Sequence, residues 1–162
     1  MSALRLRDAG PDDAGLLLRF IRALAEYERL EHEVQATEAD VARWILGPDR
    51  RAEALVAEWA GQAVGFAVWY YSFSTFLARP SLYVEDVFVQ PEARGRGIGR
   101  AVFAHLARRA LEAGCGRMEW SVLDWNAPSI AFYRTLGARP REGWTLQQLT
   151  GPALQALAAQ EG

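Results

Sequence analysis

The chain of 162 residues has no lysine, so all 18 of its basic side chains are arginines. That absence excludes a Walker-type phosphate loop, whose Gly-Lys-Ser/Thr core needs the ammonium group. Cysteine is almost absent as well. Cys115 stands alone, which rules out an intrachain disulfide, suits a reducing compartment and leads us to expect a cytoplasmic protein. His32 and His105 lie far apart, and neither has a Cys or His neighbour at metal-ligand spacing, so no metal centre is expected. No apolar run approaches membrane-spanning length. The opening Met1-Ser2-Ala3-Leu4-Arg5 leads into alternating apolar and charged residues, unlike a signal peptide. With 18 basic against 20 acidic residues and a formal net charge of −2, nothing marks a nucleic-acid partner. What remains is a chain that is 51% hydrophobic, enough for one well-buried domain spanning residues 1–162.

The most informative stretch runs from Ser81 to Arg100. Leu82, Tyr83, Val84, Val87, Phe88 and Val89 are mostly β-branched or aromatic and predict a strand, which Pro91 should stop near Gln90. Ile98, Val102, Leu106 and Ala110 recur every four residues and predict a helix lying on a sheet. Gly95, Gly97 and Gly99 therefore fall where that helix begins. Without side chains in the way, unpaired N–H groups and the positive end of the helix dipole can approach an anion, so Arg94 to Arg100 looks like a pyrophosphate cradle. The spacing G-x-G-x-G departs from the Rossmann fingerprint, because Arg100 stands where a third glycine is required. A glycine-rich turn without a ligand is the plain alternative.

Elsewhere, Leu4 to Arg7 alternates like a first strand, and Leu17, Leu18, Ile21, Leu24 and Ala25 form the apolar stripe of a helix. That helix ends in an acidic run from Glu26 to Glu31, which charge pattern alone describes as a solvated helix end. Thr37 to Asp40 resembles a capping box with aspartate in the third position, ahead of a short helix through Trp44-Ile45-Leu46. Residues 54–59 and 64–71 predict a β-hairpin, and the aromatic stretch from Ser72 to Pro80 predicts a loop folded over a substrate mouth or a neighbouring subunit. Further along we expect a strand at 117–123, a helix at 130–136 closed by Gly137, a last strand at 144–149 and a helix at 152–159. The order β-α-α-β-β-β-α-β-α-β makes a mixed-sheet α/β domain.

That order, together with Arg94-x-x-Gly97-x-Gly99, resembles the GCN5-related N-acetyltransferases (the GNAT superfamily) over essentially the whole chain. Within it, Leu24-Ala25-Glu26-Tyr27-Glu28, the stretch from Leu82 to Val89, the segment from Asp124 to Tyr133 and Glu142-Gly143-Trp144 resemble the spermidine/spermine and thialysine acetyltransferase branch. The resemblance implies acetyl-CoA as cofactor. Val87, Phe88 and Val89 would offer backbone groups to the pantetheine arm. Arg94, Gly95, Arg96, Gly97, Ile98, Gly99 and Arg100 would hold the pyrophosphate, with Asn126 and Ser129 on the other side. Where the family has a basic residue three positions after the tyrosine, this chain has Leu136, which leaves the 3′-phosphate to Arg134, Arg100 or another arginine.

Transfer of an acetyl group from a thioester to an amine needs the amine deprotonated, since an ammonium with a pKa of about 10 has no lone pair to attack with. It also needs a donor for the developing oxyanion and a proton for the departing thiolate. By the resemblance Tyr133 is the acid and Glu85 the base, acting through a water, while Asp86 shares the apolar strand with Glu85 and either carboxylate is open to that role. Strand alternation directs the two acids to opposite faces. Tyr27, Glu28, Glu85, Asp86, Glu142 and Trp144 would receive a small cationic amine: a diamine, a polyamine or a lysine-like amino acid. A protein acetyltransferase and a non-catalytic acyl-CoA sensor are the alternatives. The family's habit implies a homodimer.

Overall fold

A computed structural model describes residues 2–160. The chain divides into two compact units, Met1–Asn126 and Ala127–Gly162. The first holds a five-stranded sheet in the order β1-β2-β3-β4-β5, built from Leu4–Asp8, Glu53–Trp59, Gln62–Ser74, Arg79–Val89 and Arg117–Trp120. The first four strands pair antiparallel, and β5 pairs parallel with β4. Between β1 and β2 run α1 (Ala14–Tyr27) and the single turn α2 (Glu38–Val41), and α3 (Ile98–Glu112) is the crossover between β4 and β5.

Side-chain alternation gives each face of the sheet its helix. Val56, Phe66, Val68 and Phe88 face α1, where they meet Leu17, Leu18 and Phe20 in a core closed by Val41. Phe20 stacks on Phe66 with ring centroids 5.6 Å apart. The expected stripe of α3, Ile98, Val102, Leu106 and Ala110, is buried, and Arg109 of that helix lies over the Trp69 ring at 5.0 Å. The capping box forms as expected. Thr37 Oγ1 accepts from the Asp40 N–H at 3.2 Å, and Asp40 Oδ2 accepts from the Thr37 N–H at 3.0 Å. The helix it starts gives way to a π-helical turn at Ala42–Leu46.

The hairpin between β2 and β3 turns on Ala60 and Gly61, both at positive φ (49° and 82°), the geometry that suits the right-handed twist of paired strands. The expected loop from Ser72 to Pro80 is mostly strand. β3 runs on to Ser74, β4 begins at Arg79, and Ser74 Oγ accepts from the Leu77 N–H at 3.2 Å to close the turn between them. Serines alternating with aromatics at 71–74 continue the strand period, so small polar residues here do not mark a linker. The turn leaves Phe76 97% exposed.

The second unit contains α4 (Ala127–Thr135) and α5 (Gly151–Ala158). Gly137, at φ 89°, ends α4 in the left-handed conformation expected of it, and its N–H reaches the Arg134 carbonyl at 3.0 Å. The strand expected at 144–149 does not form. Trp144 and Leu146 alternate correctly, but among the described residues the second unit offers no partner strand to satisfy their backbone groups. β5 is likewise shorter than expected, ending at Trp120.

Because Phe66 is fully buried between α1 and the sheet, Phe66→Ala is expected to destabilise the fold by about 3–5 kcal/mol, read as a lowered urea midpoint at unchanged slope.

Candidate active site

The site is built on an irregularity in β4. The β3–β4 register runs from Gly65↔Val89 to Val68↔Asp86 and resumes at Trp69↔Val84, which leaves Glu85 as an extra residue in a bulge. On its other side β4 pairs with β5 only from Ser81↔Arg117 to Val84↔Trp120. Beyond Val84, among the described residues, no strand pairs with that edge. The Gln90 N–H donates to the Val64 carbonyl at 2.8 Å, so Gln90 and Phe88 turn their peptide groups toward β3. By alternation, Val87 and Val89 turn theirs toward the edge that β5 has left. On the β3 side the fit is tight: a Cβ on Gly65 would lie 2.5 Å from the Phe88 carbonyl oxygen, so only glycine fits there.

The glycine-rich turn follows directly. A 3₁₀ turn at Pro91–Ala93 ends the strand, Gly95 and Gly97 take left-handed φ values of 81° and 76°, and Gly97 is the N-cap of α3. Gly99 and Arg100 fall in the first turn of that helix. Ile98 is 2% exposed, so it has only backbone to offer an anion while its side chain anchors the helix in the core. Arg94 and Arg96 direct their guanidinium groups elsewhere. Arg94 Nε donates to the Val89 carbonyl at 2.9 Å and its guanidinium lies 5.1 Å from the centre of the Tyr27 ring, while Arg96 lies over Trp59 at 5.1 Å. Asn126, 5% exposed, accepts a hydrogen bond from the Tyr27 hydroxyl at 3.1 Å through Oδ1. The arrangement fits an acyl-CoA: an open strand edge for amide groups of an extended arm, then peptide N–H groups at a helix start for a diphosphate.

The bulge also corrects the expectation that Glu85 and Asp86 point to opposite faces. Past the extra residue the alternation restarts, with Asp86 opposite Val68 on the α1 face. Burial, the charge of Glu85 and the charge of Glu28 push the Asp86 carboxyl up to about 7. Burial raises Glu28 at the end of α1 as well. Glu85 further acts on Tyr70, whose hydroxyl is pushed up by burial first and by that charge second. Three carboxylates thus share one region of the α1 face, which favours a cation.

Tyr70 and Tyr83 were missing from the expected site. They pair across β3 and β4 with rings 5.1 Å apart, and the Tyr83 and Ser121 hydroxyls are 2.8 Å apart. Only the register past the bulge reveals that they share the face of Asp86. In the second unit, Ser129 and Tyr133 lie half-buried on α4, Glu142 is exposed, and Trp144 is exposed with the Arg141 guanidinium 5.3 Å from its ring. Among the described residues no cluster of His, Cys, Asp and Glu forms a metal site.

A strand opened by a bulge, a glycine turn at a helix start and an acidic patch beside them fit an N-acyltransferase. The chain belongs to the acetyltransferase (GNAT) family, whose model matches residues 18–138, and it is an N-acetyltransferase that acetylates amines from acetyl-CoA. It is 37% identical to a thialysine N-epsilon-acetyltransferase of Sus scrofa over 98% of this chain and 99% of that protein. It is 36% identical to an L-ornithine N5-acetyltransferase of Arabidopsis thaliana over 78% of this chain and 52% of that one. Among solved structures, an integron cassette protein of V. cholerae superposes with a TM-score of 0.82 at 24% identity, covering 99% of this chain and all of the other. Among the described residues no helix is long and apolar enough to cross a membrane.

Raising the Asp86 carboxyl from 3.8 to about 7 means that between those values the folded chain keeps a proton the unfolded chain releases. Stability then falls as pH rises through that window. Asp86→Asn should remove this slope, so that its urea midpoint, compared at about pH 5 and about pH 8, changes less than that of the unaltered protein.

Proposed function

We propose that the acceptor is a small molecule with two cationic groups, a diamine, polyamine or lysine-like amino acid, and that the carboxylates of Glu28, Glu85 and Asp86 select it. The observation that carries this reading is the clustering of these three groups on one face, two of them with carboxyl pKa values raised by burial. A second positive charge on the acceptor offsets that unfavourable burial, which an uncharged amine cannot do. The names of the relatives, thialysine and ornithine acetyltransferases, support the same chemistry.

Acetyl-CoA, when bound, supplies the activated acetyl thioester. Backbone groups of Val87 and Val89 hold its extended arm along the open edge of β4, whereas Phe88, expected to join them, spends its peptide groups on β3, and an N–H of this edge donates to the oxyanion position. The peptide groups from Arg94 to Arg100 hold the diphosphate, and Asn126 and Ser129 are further cofactor-binding residues. Glu85 or Asp86 takes the proton from the acceptor ammonium. Asp86, near neutrality, is the better matched to general-base work at physiological pH. Tyr133 gives its phenolic proton to the sulfur. Glu142 and Trp144 complete acceptor binding. The single domain spans 1–162, and the family match running across residue 126 supports that. A cytoplasmic homodimer is the working form, supported by the exposure of Trp144, Leu146, Leu154 and Leu157 in the second unit and of Phe73 and Phe76 at the β3–β4 turn.

Mass spectrometry of products from acetyl-CoA and a mixed pool of polyamines, diamines and basic amino acids should show acetylated dications. Equal turnover of an uncharged monoamine would overturn the acceptor assignment. Tyr133→Phe should lower kcat by about 100-fold with little change in acetyl-CoA affinity, and near-normal turnover would remove the phenol from the reaction.

A further inference from the structure

Three segments remote in sequence meet at one side chain. Tyr27, the last residue of α1, donates its hydroxyl to Asn126 Oδ1 at 3.1 Å, across 99 residues of chain. Its ring centroid lies 6.2 Å from that of Trp125, tilted by 50°. It also receives the Arg94 guanidinium at 5.1 Å, and that same guanidinium lies 5.7 Å from the Phe88 ring while its Nε is bonded to the Val89 carbonyl. Arg94 opens the glycine turn, and Asn126 closes the turn between β5 and α4. These are the two sides assigned to the cofactor cleft, and Tyr27 ties one to the other.

Tyr27 was expected to contact the amine, yet its hydroxyl proton is given to Asn126 and its ring receives a guanidinium. We propose that Tyr27 is a positioning residue of the cofactor cleft. It is a strut from Arg94 to Asn126 that holds the glycine turn and the β5–α4 turn at a fixed separation before any ligand arrives. The inference rests on the acetyl-CoA reading above. Preset walls spare the cofactor the ordering of two turns on binding, so loss of the strut weakens coenzyme A rather than the acceptor.

Calorimetry with coenzyme A, on the unaltered protein and on Tyr27→Phe, Tyr27→Leu, Arg94→Ala and the double variant Tyr27→Leu/Arg94→Ala, tests this. Tyr27→Phe keeps the ring and its packing, so it reads the hydroxyl without threatening the fold, and an unchanged Tm verifies that. The Kd for coenzyme A should rise about threefold in Tyr27→Phe and about tenfold in Tyr27→Leu, the scale of one hydrogen bond and one ring–guanidinium contact. The double variant should be no weaker than Arg94→Ala within about twofold, because the two side chains act as one unit. The KM for a diamine at saturating acetyl-CoA should stay within about twofold of the unaltered value. Unchanged coenzyme A affinity in both Tyr27 variants, additive losses in the double variant, or a raised diamine KM with coenzyme A affinity intact would each overturn the strut. Absence of binding by the unaltered protein would instead overturn the cofactor reading beneath it.

Discussion

Everything in the site depends on where β5 leaves β4. A parallel pair that continued to Val89 would bury every peptide group of the strand in ladder hydrogen bonds, leaving nothing for a ligand. Pairing ends at Val84 and Trp120, and the next residue of β4 is the bulged Glu85. Backbone donors and acceptors on that edge then need partners other than a strand. Such an edge is a liability on most proteins and is usually covered or charged. Here one carbonyl, that of Val89, is taken by Arg94, and beyond Val84 no strand among the described residues covers the edge. On the other edge β3 backs the strand closely, with Gly65 against the Phe88 carbonyl.

The same bulge organises the electrostatics. An uninterrupted strand would send neighbouring carboxylates to opposite faces and keep their charges apart. The extra residue resets the period, so Glu85 and Asp86 influence each other and Glu28 at the end of α1 joins them. Burial and neighbouring negative charge make Asp86 resist ionising, and burial does the same to Glu28, an unfavourable arrangement that a cationic visitor relieves. The glycine turn at the start of α3 is built the opposite way, from peptide dipoles with Arg94, Arg96 and Arg100 in the same stretch, a setting that favours an anion.

Much of this was legible in the residues, and what escaped did so for identifiable reasons. Apolar period and glycine placement located β4, the glycine turn and α3 within a residue or two, because burial on one face and left-handed turns leave direct marks on composition. Thr37 and Asp40 announced their helix start through side-chain chemistry alone. The bulge left only an ambiguous mark, two adjacent carboxylates that interrupt the alternation in V-E-D-V, and the register with β3 is what shows that Glu85 is extra. Tyr70 and Tyr83 were hidden for the same reason. The stretch from Trp144 to Leu149 has the alternation of a strand but no neighbour in its own unit, and alternation is only half of what a strand needs. The Ser72 to Pro80 stretch failed in reverse: its serines suggested a loop, while pairing along its length made it a hairpin.

The guanidinium groups stacked on Trp59, Trp69 and Tyr27 have one more effect. A thioester reacts slowly with any nearby primary amine that carries a free electron pair, enzyme or no enzyme. Every side-chain cation of this chain is an arginine, whose nitrogens stay protonated and delocalised at physiological pH. The surface that surrounds the activated acetyl group therefore holds no side-chain amine to be acylated by accident, and the catalyst is protected from its own reagent.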